Sequence, residues 1–331
     1  LNMSIQLRQL GASNLMLSPI GLGCWQFSQG NGIGGKFWTS LPQEDINAIV
    51  ATSLRGGITW FDTAEIYGWG KSETSLVTAL EANNKKPGDV IIATKWYPVG
   101  RTSRSIVTTI DARKQALKNW PIDLYQVHMP WGFSTRKGEM KAMAELMRRG
   151  DIRNVGVSNF SAAQLRKAHT ILKNEGFTLV SNQVRYNLVQ RFPDFDGTIA
   201  AAKELGISII AYSPLAQGLL TGKFHDNPGI IHDRPGFRKY MPMFSKNGLK
   251  RTEKLIAALK SMAQSYSVTP GEIALNWLLH YNGDTVFVIP GATKLSHAEQ
   301  NCRAMLFALD KHDIKKLDEL SRECQFGGIF G

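Results

Sequence analysis

Eight short runs of β-branched and other apolar residues recur along this chain, and stretches with helical spacing separate them. The runs are "IGLGCW", "ITWFDTA", "DVIIATKW", "DLYQVHMP", "IRNVGVSN", "TLVSNQV", "ISIIAYSP" and "TVFVIPG". Between them, apolar residues at three- and four-residue intervals mark helices over 44–54, 105–118, 139–147, 162–173 and 198–205. Gly56, Gly150, Gly176 and Gly206 stand where those helices stop. Parallel strands need a covering crossover, so strand followed by helix, eight times, predicts an α/β fold of the (β/α)8 TIM-barrel type. Three additions decorate the pattern. A hairpin-like segment, "IQLRQLGASNLMLSP", precedes the first run. A long Gly-, Pro- and Arg-rich segment, 219–250, and two further helices, 252–266 and 270–280, separate the seventh run from the eighth. A last helix, 310–324, follows the barrel. Loops of that length inside a compact domain usually carry function.

Composition agrees with one large domain spanning 1–331. Of the 331 residues 43% are hydrophobic and 20% charged, enough to bury a sizeable core, and no Pro/Ser-rich or charge-dense linker divides them. No charged-plus-apolar leader follows Met3, and no apolar run reaches the roughly 18 residues of a membrane helix. The expectation is a cytoplasmic protein without a membrane partner. Cys24, Cys302 and Cys324 have neither paired nor metal-ligand spacing, so neither a disulfide nor a metal is expected. The net charge of +12 raises the question of nucleic acid, but Lys and Arg are scattered and no nucleic-acid motif accompanies them. A basic surface serves equally well to attract an anionic cofactor.

Barrel active sites form where strands end. Asp62 and Tyr67 come at the end of the second strand, Lys95 at the end of the third and His128 at the end of the fourth. Each has an ordinary reading alone: a loop cap, a surface charge, a core histidine, an amphipathic rim tyrosine. Asp62 and His128 also suggest a metal pair, but no third imidazole or thiolate stands at a ligand position. Together the four residues fit carbonyl reduction, which places a hydride on carbon and a proton on oxygen. A phenol of pKa near 10 is a poor acid at neutral pH unless a cation stabilises its phenolate. Lys95 would supply that cation, Asp62 would orient it, and His128 would donate a second hydrogen bond to the carbonyl oxygen.

With Asp62, Tyr67, Lys95 and His128 in this order, and with "VGVSNF", "SNQVRYN", "AYSPLAQGLLTGKF" and "IPGATKLSHAEQN" after them, the chain resembles the aldo-keto reductases over nearly its whole length. The branch it resembles includes potassium-channel β-subunits and bacterial and plant reductases. The resemblance implies NADP(H) as cofactor, with Ser158, Asn159 and Gln183 holding the nicotinamide carboxamide, Tyr212 stacking on the ring, and Trp25 and Asp62 beside it. It implies that Ser213, Pro214, Leu215, Ala216, Gln217, Gly218 and Lys223 follow the pyrophosphate. Gly291, Thr293, Lys294, His297, Gln300 and Asn301 then take the adenosine end, where a helix N-terminus favours an anion. The alternative for Gly291 and Thr293 is a simple turn, and for Lys294 and His297 solvated first-turn positions. Arg234 and Arg238, in the long segment, are cofactor candidates whose alternative is a solvated loop.

Five of the eight tryptophans, Trp25, Trp38, Trp69, Trp96 and Trp131, follow the first four runs. Trp25, Trp96 and Trp131, with Tyr67 and His128, are expected to contact a small carbonyl or sugar substrate; loop anchoring is the alternative. The expected activity is NADP(H)-dependent reduction of aldehydes or ketones to alcohols, or the reverse on a sugar or alcohol. A cofactor-sensing subunit is the other class, and the complete set of four favours the enzyme.

Overall fold

The computed structural model describes residues 5–30, 39–233 and 236–327, with the backbone alone for residues 236 and 237. Strands β1 (Arg8–Gln9) and β2 (Met16–Leu17) pair antiparallel as the expected hairpin. Eight parallel strands follow: β3 (Leu22–Gly23), β4 (Trp60–Asp62), β5 (Ile91–Trp96), β6 (Leu124–Val127), β7 (Val155–Ser158), β8 (Leu179–Arg185), β9 (Ser208–Tyr212) and β10 (Val286–Val288). Seven fall inside their apolar runs, and β8 overlaps its run but continues one residue beyond it, to Arg185. Neighbours in sequence are neighbours in the sheet, and parallel bridges Ile20↔Val288 and Gly23↔Gly291 join its two edges into a (β/α)8 barrel.

Two apolar layers hold the barrel. Inside it, Trp60, Ala93, Leu124, Val180, Ile210 and Phe287 fill the lumen. Leu10, Leu15 and Leu17 of the hairpin pack on the same cluster, and the Gly11 amide donates to Ser208 Oγ at 2.7 Å. The hairpin thus plugs the end at which the strands begin, and the opposite end is left for a site. Outside the strands, a larger core joins the sheet to the helices, with Ile49, Leu76, Leu80, Met143, Leu165 and Leu278 among its buried members. Burying such a side chain contributes about 1.5–3 kcal/mol relative to leaving it exposed.

Three helices differ from the spacing-based expectation. The helix expected over 105–118 breaks at Thr109 into Arg104–Thr108 and Ile110–Ala116. Five consecutive β-branched residues, Ile106 to Ile110, crowd the turn, and Thr109 Oγ1 donates to Ser105 O at 2.6 Å, which competes with helix continuation. The helix expected from residue 252 begins earlier, as Lys246–Tyr266, because Ser245 caps it by accepting from the Gly248 amide at 3.0 Å. Thr135 does the same for Arg136–Arg149. The 219–250 segment is a series of short helical turns, including Pro228–Ile231, Gly236–Tyr240 and Pro242–Phe244. It brings Arg238 and Met241 to the wall of the cavity described next.

Candidate active site

A cavity of about 910 Å³ lies at the ends where the strands finish. At its deep end Asp62 is the last residue of β4, Lys95 the penultimate residue of β5, and His128 the first residue after β6. Lys95 Nζ donates to Asp62 Oδ1 at 2.5 Å and to Thr63 O at 2.8 Å. Asp62 Oδ2 accepts from Gln183 Nε2 at 2.9 Å and from Gln126 Nε2 at 3.1 Å. Both charges are buried, Lys95 fully. Buried ions need such complete pairing, since burial disfavours an isolated charge strongly. Burial opposes the charge of Lys95, but Asp62 and then Tyr67 outweigh it and hold the ammonium above its usual pKa.

Tyr67 stands over this pair, with the Lys95 Nζ 5.0 Å from its ring centroid. The ring lies parallel to Trp25 at 6.0 Å and edge-on to His128 at 5.7 Å, and Tyr97 closes on the far side of His128 at 5.8 Å. Burial raises the Tyr67 phenol and Lys95 offsets that only in part, so the phenol stays protonated well into alkaline pH. Lys95 does act to bring the phenol down, as expected, but burial outweighs it. Burial, then Lys95, holds His128 well below the usual imidazole range, so its ring is neutral. Its Nδ1 is buried without a hydrogen-bond partner.

The middle of the cavity is lined by amides, hydroxyls and one aromatic ring. Asn159 takes a left-handed conformation with φ of 61° and donates to His128 O at 3.3 Å, while its Oδ1 accepts from the Tyr212 hydroxyl at 3.0 Å. Ser158 Oγ donates to Gln183 O at 2.8 Å. After Tyr212 the chain turns through Ser213, Ala216, Gln217 and Gly218, all with positive φ. Such turns point successive amides into a concavity suited to anions. At Gly218 a Cβ would stand 3.1 Å from Lys223 Nζ, so glycine lets the ammonium close on the backbone. At Gly291 a Cβ would fall 2.2 Å from Gln26 Oε1, an atom that is buried without a partner. Farther out, the Thr293 amide donates to His297 Nδ1 at 3.4 Å, beside the helix Leu295–Arg303 that Lys294 opens.

The charge on this wall is one-sided. Arg185, Lys223, Arg238 and Lys294 line it, whereas among the described residues its one acid is Asp62, already engaged by Lys95. A dinucleotide with a pyrophosphate and a 2′-phosphate brings about four negative charges, so the donor set fits NADP(H). So do the backbone cradle at Gly218 and the unpartnered polar atoms of Gln26 and His128.

Most of the residues expected at the site meet in this cavity: Trp25, Asp62, Tyr67, His128, Ser158, Asn159, Gln183, Tyr212, Ser213, Pro214, Leu215, Gln217, Gly218, Lys223, Arg238, Gly291, Thr293, Lys294, His297, Gln300 and Asn301. Lys95 lies just beneath its floor. Trp96 is a correction: it is fully buried in the core outside the strands, its Nε1 donates to Ser105 Oγ at 2.9 Å, and it is not on the cavity wall. Trp69 and Trp131 are largely exposed and absent from the wall, so the expected substrate contact of Trp131 is not seen. Ala216 is buried behind the turn instead of lining it. Arg234 and Trp38 lie outside the described residues. Sequence reasoning missed Ile66, Tyr97 and Met129 at the deep end, and Gln26 and Arg185 farther out.

Comparison with known proteins agrees with this fold. The sequence profile of the aldo/keto reductase family matches residues 19–322. An uncharacterized oxidoreductase of Mycobacterium tuberculosis is 37% identical over 308 residues, which cover 92% of this chain and 90% of that one. Among solved structures, the glycerol dehydrogenase of Gluconobacter oxydans superposes with a TM-score of 0.82 at 24% identity, covering 97% of both chains. An aldo/keto reductase of Klebsiella pneumoniae in complex with NADP and acetate superposes with a TM-score of 0.73 at 21% identity, covering 96% of each. The chain belongs to the aldo/keto reductase family, and its relatives are oxidoreductases.

Proposed function

We propose that the protein is an NADP(H)-dependent carbonyl reductase that converts aldehydes or ketones to alcohols. The observation that carries the proposal is the meeting of Tyr67 and neutral His128 above the buried Lys95–Asp62 pair, at the end of a cavity walled by cations. When bound, NADPH supplies the hydride. Ser158, Asn159 and Gln183 present donors and acceptors to the carboxamide, and Tyr212 offers its ring face. Ser213 to Gly218 and Lys223 receive the pyrophosphate, and Thr293, Lys294 and His297 the 2′-phosphate. The substrate oxygen sits between Tyr67 and His128. With Nδ1 enclosed and without an acceptor, a proton on Nε2 is the one that can reach a substrate in the cavity. That N–H polarises the carbonyl. As negative charge grows on the oxygen, Tyr67 releases its proton there, and the adjacent Lys95 ammonium steadies the phenolate.

The test is NADPH oxidation with a panel of aldehydes, ketones and sugars, run from pH 6 to 8. Turnover of at least one carbonyl class is expected, and it should be level across that range, because His128 is already neutral and Tyr67 still protonated. Tight NADPH binding with no turnover of any substrate would instead support the cofactor-sensing subunit.

A further inference from the structure

Arg185 is a cation without a counter-charge in the cavity wall. It ends β8, in register with Tyr212 of β9, and stands two residues after Gln183 on the inward face of the strand. Its Cζ lies 5.5 Å from the centre of the Tyr212 ring. Its Nε is buried with no hydrogen-bond partner, and among the described residues no carboxylate pairs with it. The one acidic residue on the wall, Asp62, is occupied by Lys95, Gln126 and Gln183. A half-buried guanidinium on the cavity wall, with no carboxylate beside it, is placed to receive an anionic group of a ligand.

Three anions could come near this cavity: a carboxylate on the substrate, the 2′-phosphate, and the phosphate next to the nicotinamide ribose. Position separates them. The substrate oxygen belongs beside Tyr67 and His128, on the loops after β4 and β6, with β7 between β6 and Arg185. The 2′-phosphate belongs beside Lys294, beyond β10. Arg185 instead flanks Tyr212, from which the chain runs directly into the left-handed turn at Ser213. On the reading given above, that turn follows the pyrophosphate and Tyr212 meets the nicotinamide.

We propose that Arg185 is a cofactor-binding residue that pairs with the phosphate on the nicotinamide side of the dinucleotide. The assignment rests on the oxidoreductase reading. A guanidinium fork matches two phosphate oxygens at once, and its stacking on Tyr212 would hold the fork in place. The contact is independent of the 2′-phosphate, so NADH and NADPH should depend on it alike.

Arg185→Gln and Arg185→Lys in the full chain test the assignment. Dissociation constants are measured by fluorescence titration for NADPH, NADH and adenosine 2′,5′-bisphosphate, which lacks the nicotinamide-side phosphate, and thermal midpoints are compared. The Gln variant should bind both dinucleotides about tenfold or more weakly, as expected for loss of a charge-assisted contact. The Lys variant should recover part of that loss, while the bisphosphate constant and the thermal midpoint stay unchanged. Unaltered NADPH binding, or an equal loss for the bisphosphate, would overturn the assignment. So would a defect confined to the KM of carboxylate-bearing aldehydes, which would make Arg185 a substrate residue. Failure of the unsubstituted protein to bind NADPH would sink the cofactor reading itself, a result recognisable before any variant is made.

Discussion

The two ends of the cavity are built differently. At the deep end Asp62 and Lys95 are enclosed, and each bonds to partners within 3.1 Å. At the outer end Lys294 is exposed, and Thr293 and His297 meet only at 3.3–3.4 Å. Enclosed charges act through a low dielectric and need no rearrangement when charge develops on a substrate. Exposed charges are screened by water and salt, and each contributes little. On the proposed function, chemistry belongs to the enclosed end, and the choice between NADPH and NADH would be a sum of small terms at the other.

Substitutions should scale with that difference. Lys95→Met is expected to have the largest effect, because it strands Asp62 as a buried unpaired charge. Losing one partner of such a pair costs about 3–5 kcal/mol, so the melting temperature should fall sharply. Turnover should fall about a hundredfold or more as the phenolate loses its cation. A variant that melts like the parent would show that the deep end is less rigid than its geometry implies. His297→Gln should have a smaller effect. A protonated imidazole beside a phosphate dianion strengthens NADPH binding, and that gain is lost as pH rises and the imidazole releases its proton. NADPH affinity of the parent should therefore weaken more steeply than that of the Gln variant between pH 6 and 9, by about two- to fivefold, while NADH affinity stays level in both. Because the phosphate also titrates near pH 6, the variant is the needed control. Equal slopes would leave Lys294 as the reader of the 2′-phosphate and sharpen the contrast between the ends.

The deep end was also the more legible from sequence. Each strand is a local run of branched residues and barrel sites form at strand ends, so the positions of Asp62, Lys95 and His128 are set by chain order alone. Trp96 was misread although alternation could have placed it: side chains alternate along a strand, so with Lys95 pointing inward its neighbour must point to the helices. The same rule, applied from Gln183, points Arg185 inward, the signal that was passed over. Trp131 had no such rule, because loop direction is decided by tertiary packing. The break at Thr109 was visible only as five consecutive β-branched residues, Ile106 to Ile110. The pKa of Tyr67 was inaccessible, since it depends on how deeply the ring is buried.

The central claim is that Tyr67 is the proton donor at a site whose cofactor cleft stands without it. Tyr67→Phe keeps the ring against Trp25 and His128 and removes only the hydroxyl. The direct measurement is kcat for a reducible aldehyde together with the dissociation constant for NADPH, in the parent and in this variant. The account predicts that kcat falls about a hundredfold or more while NADPH binding changes by less than about twofold. Near-parental turnover by the phenylalanine variant would contradict it.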